Sequence, residues 1–184
     1  MLTNNLKEKT ANFHDEIESK LESKKLFEGT FSDENYYKML QVNHLFLKEY
    51  AEKIKRLLAV KDLGILHQTN FDKCRLIEKD LTELNLTELE AQNASELEDR
   101  AEAFGALYVI EGSMLGGNVI AKTLKKYPNL KDKSFNYFGH YGEKLGQSWK
   151  TFLRYINEEF TTEKEQSQVI AGAKKAYEDL IRFA

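Results

Sequence analysis

The sequence predicts a single all-α domain, a bundle of about six helices with room between them for a flat ligand. Three observations predict it. Apolar residues recur at three- and four-residue spacing along most of the chain, no segment of useful length alternates in the manner of a strand, and one proline in 184 residues leaves long stretches uninterrupted. No internal repeat or low-complexity linker divides residues 1–184. At this length roughly 70% of the unfolded surface can be buried, so a core forms without disulfide or metal staples.

Each element follows from local signals. Leu2, Leu6, Phe13, Ile17 and Leu21 mark one face of a first helix from about Thr3 to Leu21. Ser32 followed by Asp33 and Glu34 is an N-cap with an acidic first turn, which suits the positive end of the helix dipole. That helix continues through Leu40, Leu47, Ile54 and Leu58. After a break at Gly64 to Thr69, Asn70 caps a third helix holding Phe71, Cys74, Ile77 and Leu81, and Leu84 to Asn93 reads as a connection. Ser95 opens a long segment through Phe104, Leu107, Ile110 and Leu115 to Leu124, closed by Pro128. An aromatic loop, Phe135 to Tyr141, leads to a helix with Leu145, Trp149, Phe152 and Ile156. Thr162 with Glu165 forms a capping box for the last helix.

Composition excludes several function classes. Hydrophobic residues are 41% and charged residues 31%, with a formal net charge of −3 and the two signs interleaved. No broad positive field is present to hold a nucleic acid. No apolar run reaches the ~20 residues of a membrane span, and Met1 to Lys9 lacks the apolar stretch of a secretory signal. Cys74 is alone, so neither an internal disulfide nor covalent C-x-x-C-H heme attachment is expected, and a reducing cytoplasm is the expected location.

Two helices carry candidate chemistry. Lys7, His14 and Glu18, spaced by seven and four, lie near one face of the first helix beside its apolar stripe. A carboxylate one turn away orients an imidazole and raises its basicity as a metal ligand. The same spacing also describes an exposed surface pair worth a few tenths of a kcal/mol. In the long helix, Gly112, Gly116 and Gly117 each cost about 1 kcal/mol relative to alanine, so a compensation is expected. It is either close approach of a neighbouring helix or close approach of a flat ligand to the backbone. Lys150 and Arg154, one turn apart after Trp149, either pair with two carboxylates of a ligand or form a solvated face. His44 reads as core, and His67 and His140 as loop residues, so a multi-histidine site has little support.

Two segments resemble the heme oxygenase family. L-K-E-K-T-A-N-F-H-D-E-I-E, Leu6 to Glu18, looks like the family's proximal helix, and Y-V-I-E-G-S-M-L-G-G-N-V-I, Tyr108 to Ile120, is similar to the distal helix of bacterial members. A third stretch, Tyr141-Gly142 through Trp149 and Phe152 to Arg154, is similar to the bacterial pattern that follows. The resemblance implies heme b between a proximal helix and a kinked distal helix. It makes His14 the iron ligand, Glu18 its carboxylate neighbour and Lys7 a basic residue near the heme edge. Tyr108 then stands beside the heme, Lys150 and Arg154 near its propionates, and Gly112, Ser113, Gly116 and Gly117 form the catalytic wall over the iron. Ser113 stands where animal members carry an aspartate that holds a distal water network. Glu111 serves in its place only if it turns towards the heme.

The implied reaction is oxidative opening of heme at a meso carbon to biliverdin, CO and ferrous iron, using O2. Electrons come from an external donor such as a ferredoxin or flavoprotein reductase, since no G-x-G-x-x-G follows a strand and no cysteine cluster is present. The rival expectation is a non-catalytic heme or bilin binding protein of the same fold.

Overall fold

The structure, a computed structural model, describes residues 1–62, 64–65 and 73–184. The first helix, α1, spans Leu2–Lys20 and buries Leu2, Leu6, Thr10 and Ile17. A short helix, α2 (Lys25–Glu28), follows and is closed by Gly29 in the left-handed region at φ 72°. Nothing in the sequence pattern announces it, because four residues are too few to show a period. Ser32 caps α3 (Asp33–Leu57) as expected: its hydroxyl accepts from the Asn35 N–H, and its own N–H donates to Asn35 Oδ1. The expected break, the Asn70 cap, Phe71 and the loop His67 fall almost wholly outside the described residues. What is described of the third predicted helix is α4 (Lys73–Glu83).

The long central helix, α5, spans Arg100–Leu124 without interruption at its glycines. It starts five residues later than the Ser95 expectation. Asp99 is the cap, accepting from the Glu102 N–H, whereas the Ser95 N–H donates to Asp179 Oδ2 at 2.6 Å and ties the preceding connection to the last helix. By length and composition α5 is apolar enough to cross a membrane, but 56% of that stretch is buried in the protein, as in a core helix. The aromatic loop after it is pinned by Asp80 on α4, which accepts from the Asn136 and Tyr137 N–H groups at 2.8 Å each. α6 (Leu145–Glu159) and α7 (Glu163–Phe183) complete the bundle, with the Thr162–Glu165 capping box formed as predicted. No strand occurs among the described residues, and the all-α fold class holds.

The tightest packing is the crossing of α5 and α7. Gly105 and Gly172 face each other there, and a β-carbon at Gly105 would overlap the Val169 carbonyl, one at Gly172 the Glu102 carbonyl. α7 also packs along α1, where Lys20 Nζ donates to the Ile181 carbonyl at 2.9 Å. The core so formed, with Phe104, Leu107 and Ala173 fully buried, leaves one long side of α5 open towards α1.

Candidate functional site

That open side is a cleft walled by α1 and α5. It runs in two adjoining lobes, of about 1200 and 1080 Å³, that share His14, Gly112, Leu115 and Tyr177. Lys7, Thr10, Tyr108 and Trp149 line the first lobe. Glu18, Phe27, Asn43, Ser113, Gly116 and Phe138 line the second. The spacing of α1 and the glycines of α5 therefore meet at one place.

His14 has a side chain 56% exposed to this space, with Nδ1 lying 3.8 Å from Glu18 Oε1. That distance is too long for a direct hydrogen bond. Asp15 stands nearby, and the ligand atoms of His14, Asp15 and Glu18 all lie within 4.8 Å of one another.

The glycines divide sharply. A β-carbon at Gly116 would meet no atom within 4 Å, and one at Gly112 only the Trp149 ring at 3.6 Å. Of the two compensations the sequence left open, a neighbouring helix is therefore not the one that holds Gly116. Gly117 is different. It is buried, and a β-carbon there would stand 2.8 Å from the Phe138 ring and 3.2 Å from the Phe138 carbonyl. Gly117 packs the aromatic loop onto α5, which corrects the expectation that all three glycines form one ligand-facing wall.

Glu111 turns away from the cleft. It is buried and ion-paired with Lys73, and it accepts a hydrogen bond from the Tyr141 hydroxyl at 2.7 Å. Ser113, by contrast, lines the cleft and donates to the Ile110 carbonyl at 2.8 Å. Beside it the Tyr137 hydroxyl donates to Asn43 Oδ1 at 3.4 Å. Burial pushes the Tyr137 phenol up, with Ser113 acting against it. Asn43 and Tyr137 escaped the sequence reading. The only signal for Asn43 was an amide inside the apolar run of α3.

Tyr108 is half-buried, its ring 5.4 Å from that of Trp149, and burial raises its phenol against the influence of Thr10. Lys150 and Arg154 are exposed and do not line the cleft, whereas their sequence neighbours Trp149 and Leu153 do. The structure thus brings Lys7, His14, Glu18, Tyr108, Gly112, Ser113 and Gly116 together and leaves Gly117, Lys150 and Arg154 out. Phe27 was also missed: its side chain is 76% exposed at the mouth of the cleft.

A sequence model of the heme oxygenase family matches residues 1–183. The chain belongs to the heme oxygenase family. It is 26% identical over 153 residues to the heme oxygenase of Xanthomonas campestris pv. campestris (strain 8004), covering 83% of this chain and 90% of that one. Among solved structures, the NO- and CO-bound heme oxygenase of Neisseria meningitidis superposes with a TM-score of 0.72 at 23% identity, over 99% of this chain and 90% of the other. A TenA homologue from Pyrococcus furiosus superposes with a TM-score of 0.65 at 20% identity, over 100% and 98% of the two chains. The bundle alone therefore does not separate these two proteins, and function rests on the site.

For a heme oxygenase family member, heme is the expected ligand and substrate. The residues fit it. The cleft has an imidazole on one wall with a carboxylate one turn away, glycine backbone at Gly112 and Gly116 on the opposite wall, and an apolar lining that includes Ile17, Met39 and Val109.

Proposed function

We propose that this chain is a biliverdin-producing heme oxygenase, with heme b seated in the α1–α5 cleft and His14 as its iron ligand. The observation that carries this reading is the open backbone at Gly116, set in the same cleft as an exposed imidazole whose Nδ1 faces Glu18. Bound heme supplies the iron at which O2 is activated and the meso carbon that is opened, with electrons from an external donor. Glu18 orients the imidazole and raises its basicity. Gly112 and Gly116 keep the opposite wall free of acidic and cationic side chains, so steric direction replaces general acid power. Ser113, with Asn43 and Tyr137 behind it, places a hydroxyl oxygen on that wall, free to accept because its proton goes to the Ile110 carbonyl. Lys7 meets a propionate in the first lobe.

Turnover tests the reading. Hemin bound one to one by the purified protein, then reduced with ascorbate under air, is expected to give the biliverdin spectrum with release of CO. Hemin that binds but is not consumed would favour a carrier of the same fold. Phe27 supplies a second check. Its exposed ring is expected to be covered by the porphyrin edge, so Phe27→Ser should weaken heme affinity by roughly tenfold or more while leaving apoprotein stability unchanged. Equal heme dissociation rates in the two proteins would remove Phe27 from the site.

A further inference from the structure

A further cavity lies on the other side of the aromatic loop from the heme cleft, and it stands independently of the heme reading. It measures about 800 Å³ and opens to solvent between the C-terminal half of α5 and residues 134–140. The loop separates the two spaces: Phe138 lines the cleft, whereas Ser134, Asn136 and His140 line this cavity. The facing wall carries Lys122, in the last turn of α5, and Lys125 at its C-cap. The loop is held in a strained shape. Phe135 is buried at φ 51°, a left-handed conformation that a bulky residue does not adopt unaided. Its carbonyl accepts from the Gly139 N–H at 2.8 Å, and Asp80 grips the next two amides from behind.

The charge of this cavity runs against that of the protein. The chain has a formal net charge of −3, yet two lysines and no carboxylate line the cavity. Both lysines are exposed, and neither ammonium group makes a hydrogen bond or ion pair among the described residues. The acidic residues beside the loop are engaged with it: Asp80 accepts from the Asn136 side chain at 2.7 Å, and Glu83 from the Ser134 N–H at 3.1 Å. The negative end of α5 amounts to roughly half a charge, which two ammonium groups outweigh. We infer that this cavity binds a phosphate-bearing small molecule, its phosphate held between Lys122 and Lys125 on one wall and the Ser134 hydroxyl on the other. Lysine binds phosphate as a compact point charge, and a tetrahedral phosphate presents oxygens to donors on two facing walls at once. Leu76 and Phe135 give the remaining space an apolar lining for the body of the ligand.

Calorimetric titration of the full chain with inorganic pyrophosphate tests the inference, in about 0.1 M salt so that diffuse surface attraction is screened. Amide NMR spectra recorded alongside locate the site. The wild type should bind one equivalent and shift the amide signals of Ser134, Asn136 and His140. Lys122→Gln with Lys125→Gln, both at exposed positions that leave Tm unchanged, should weaken binding at least roughly tenfold. Lys150→Gln with Arg154→Gln, which removes two cations from α6, should bind as the wild type does. Succinate, a dianion without phosphate, should bind more weakly than pyrophosphate. No saturable binding by the wild type, or equal affinity in the Lys122 and Lys125 variant, would overturn the inference. So would an equal loss in both double variants, which would mark a general charge effect, or equal affinity for succinate, which would remove the preference for phosphate.

Discussion

Gly116→Ala is expected to leave the apoprotein as stable as the wild type, or more stable by up to about 1 kcal/mol, while lowering the biliverdin yield per bound heme. The added methyl group meets nothing within 4 Å in the protein, so folding gains the helix propensity of alanine without a clash. It projects into the space where bound oxygen would lie, and there it obstructs. Gly105→Ala should behave in the opposite way. Its β-carbon overlaps the backbone of α7 at Val169 and Ala173, and no side-chain rotation relieves a backbone contact. The α5–α7 crossing must then open, at a cost of about 3 kcal/mol or more, beyond the ordinary range for overpacking because the obstacle is main chain. Thermal unfolding of both apoproteins beside yield per bound heme reads the contrast. A destabilised Gly116→Ala with full yield in its folded fraction would assign that glycine to packing.

Glu111→Ala should be among the most damaging single changes outside that crossing. It removes the carboxylate that pairs with the buried Lys73 ammonium and accepts from the Tyr141 hydroxyl, a loss of about 3–5 kcal/mol. For a chain of this size that corresponds to a fall in Tm of roughly 6–20 °C. Because Glu111 faces away from the cleft, the variant that still folds should bind hemin with unchanged affinity. A small fall in Tm with a large fall in turnover would instead give Glu111 a role in the reaction.

The parts of this protein that its sequence makes legible are those decided locally. The caps at Ser32 and Thr162 depend on residues three positions away and are formed as read. The alignment of Lys7, His14 and Glu18 depends only on the helical period, and all three line the cleft. What stayed hidden depends on distant partners. Ser95 opens the segment in the sequence, but its N–H is tied to Asp179, 84 residues away, and the helix starts only after Asp99. Gly116 and Gly117 are neighbours of one type, but one turns to open space and the other to Phe138 from the aromatic loop. Glu111 is drawn out of the cleft by Lys73, 38 residues earlier. Lys150 and Arg154 follow two cleft residues, and one residue is 100° of helix, enough to turn them onto the exposed face. Phe27 sits on a helix too short to show a period.

The central claim is that His14 holds heme iron in the cleft between α1 and α5. The optical and electron paramagnetic resonance spectra of the hemin complex, recorded for the wild type and for His14→Ala, test it most directly. The wild type is expected to show a single histidine-ligated heme, and His14→Ala to lose the nitrogen ligand signature together with biliverdin formation. Identical spectra and identical turnover in the two proteins would contradict the assignment and move the heme, if it binds, away from His14.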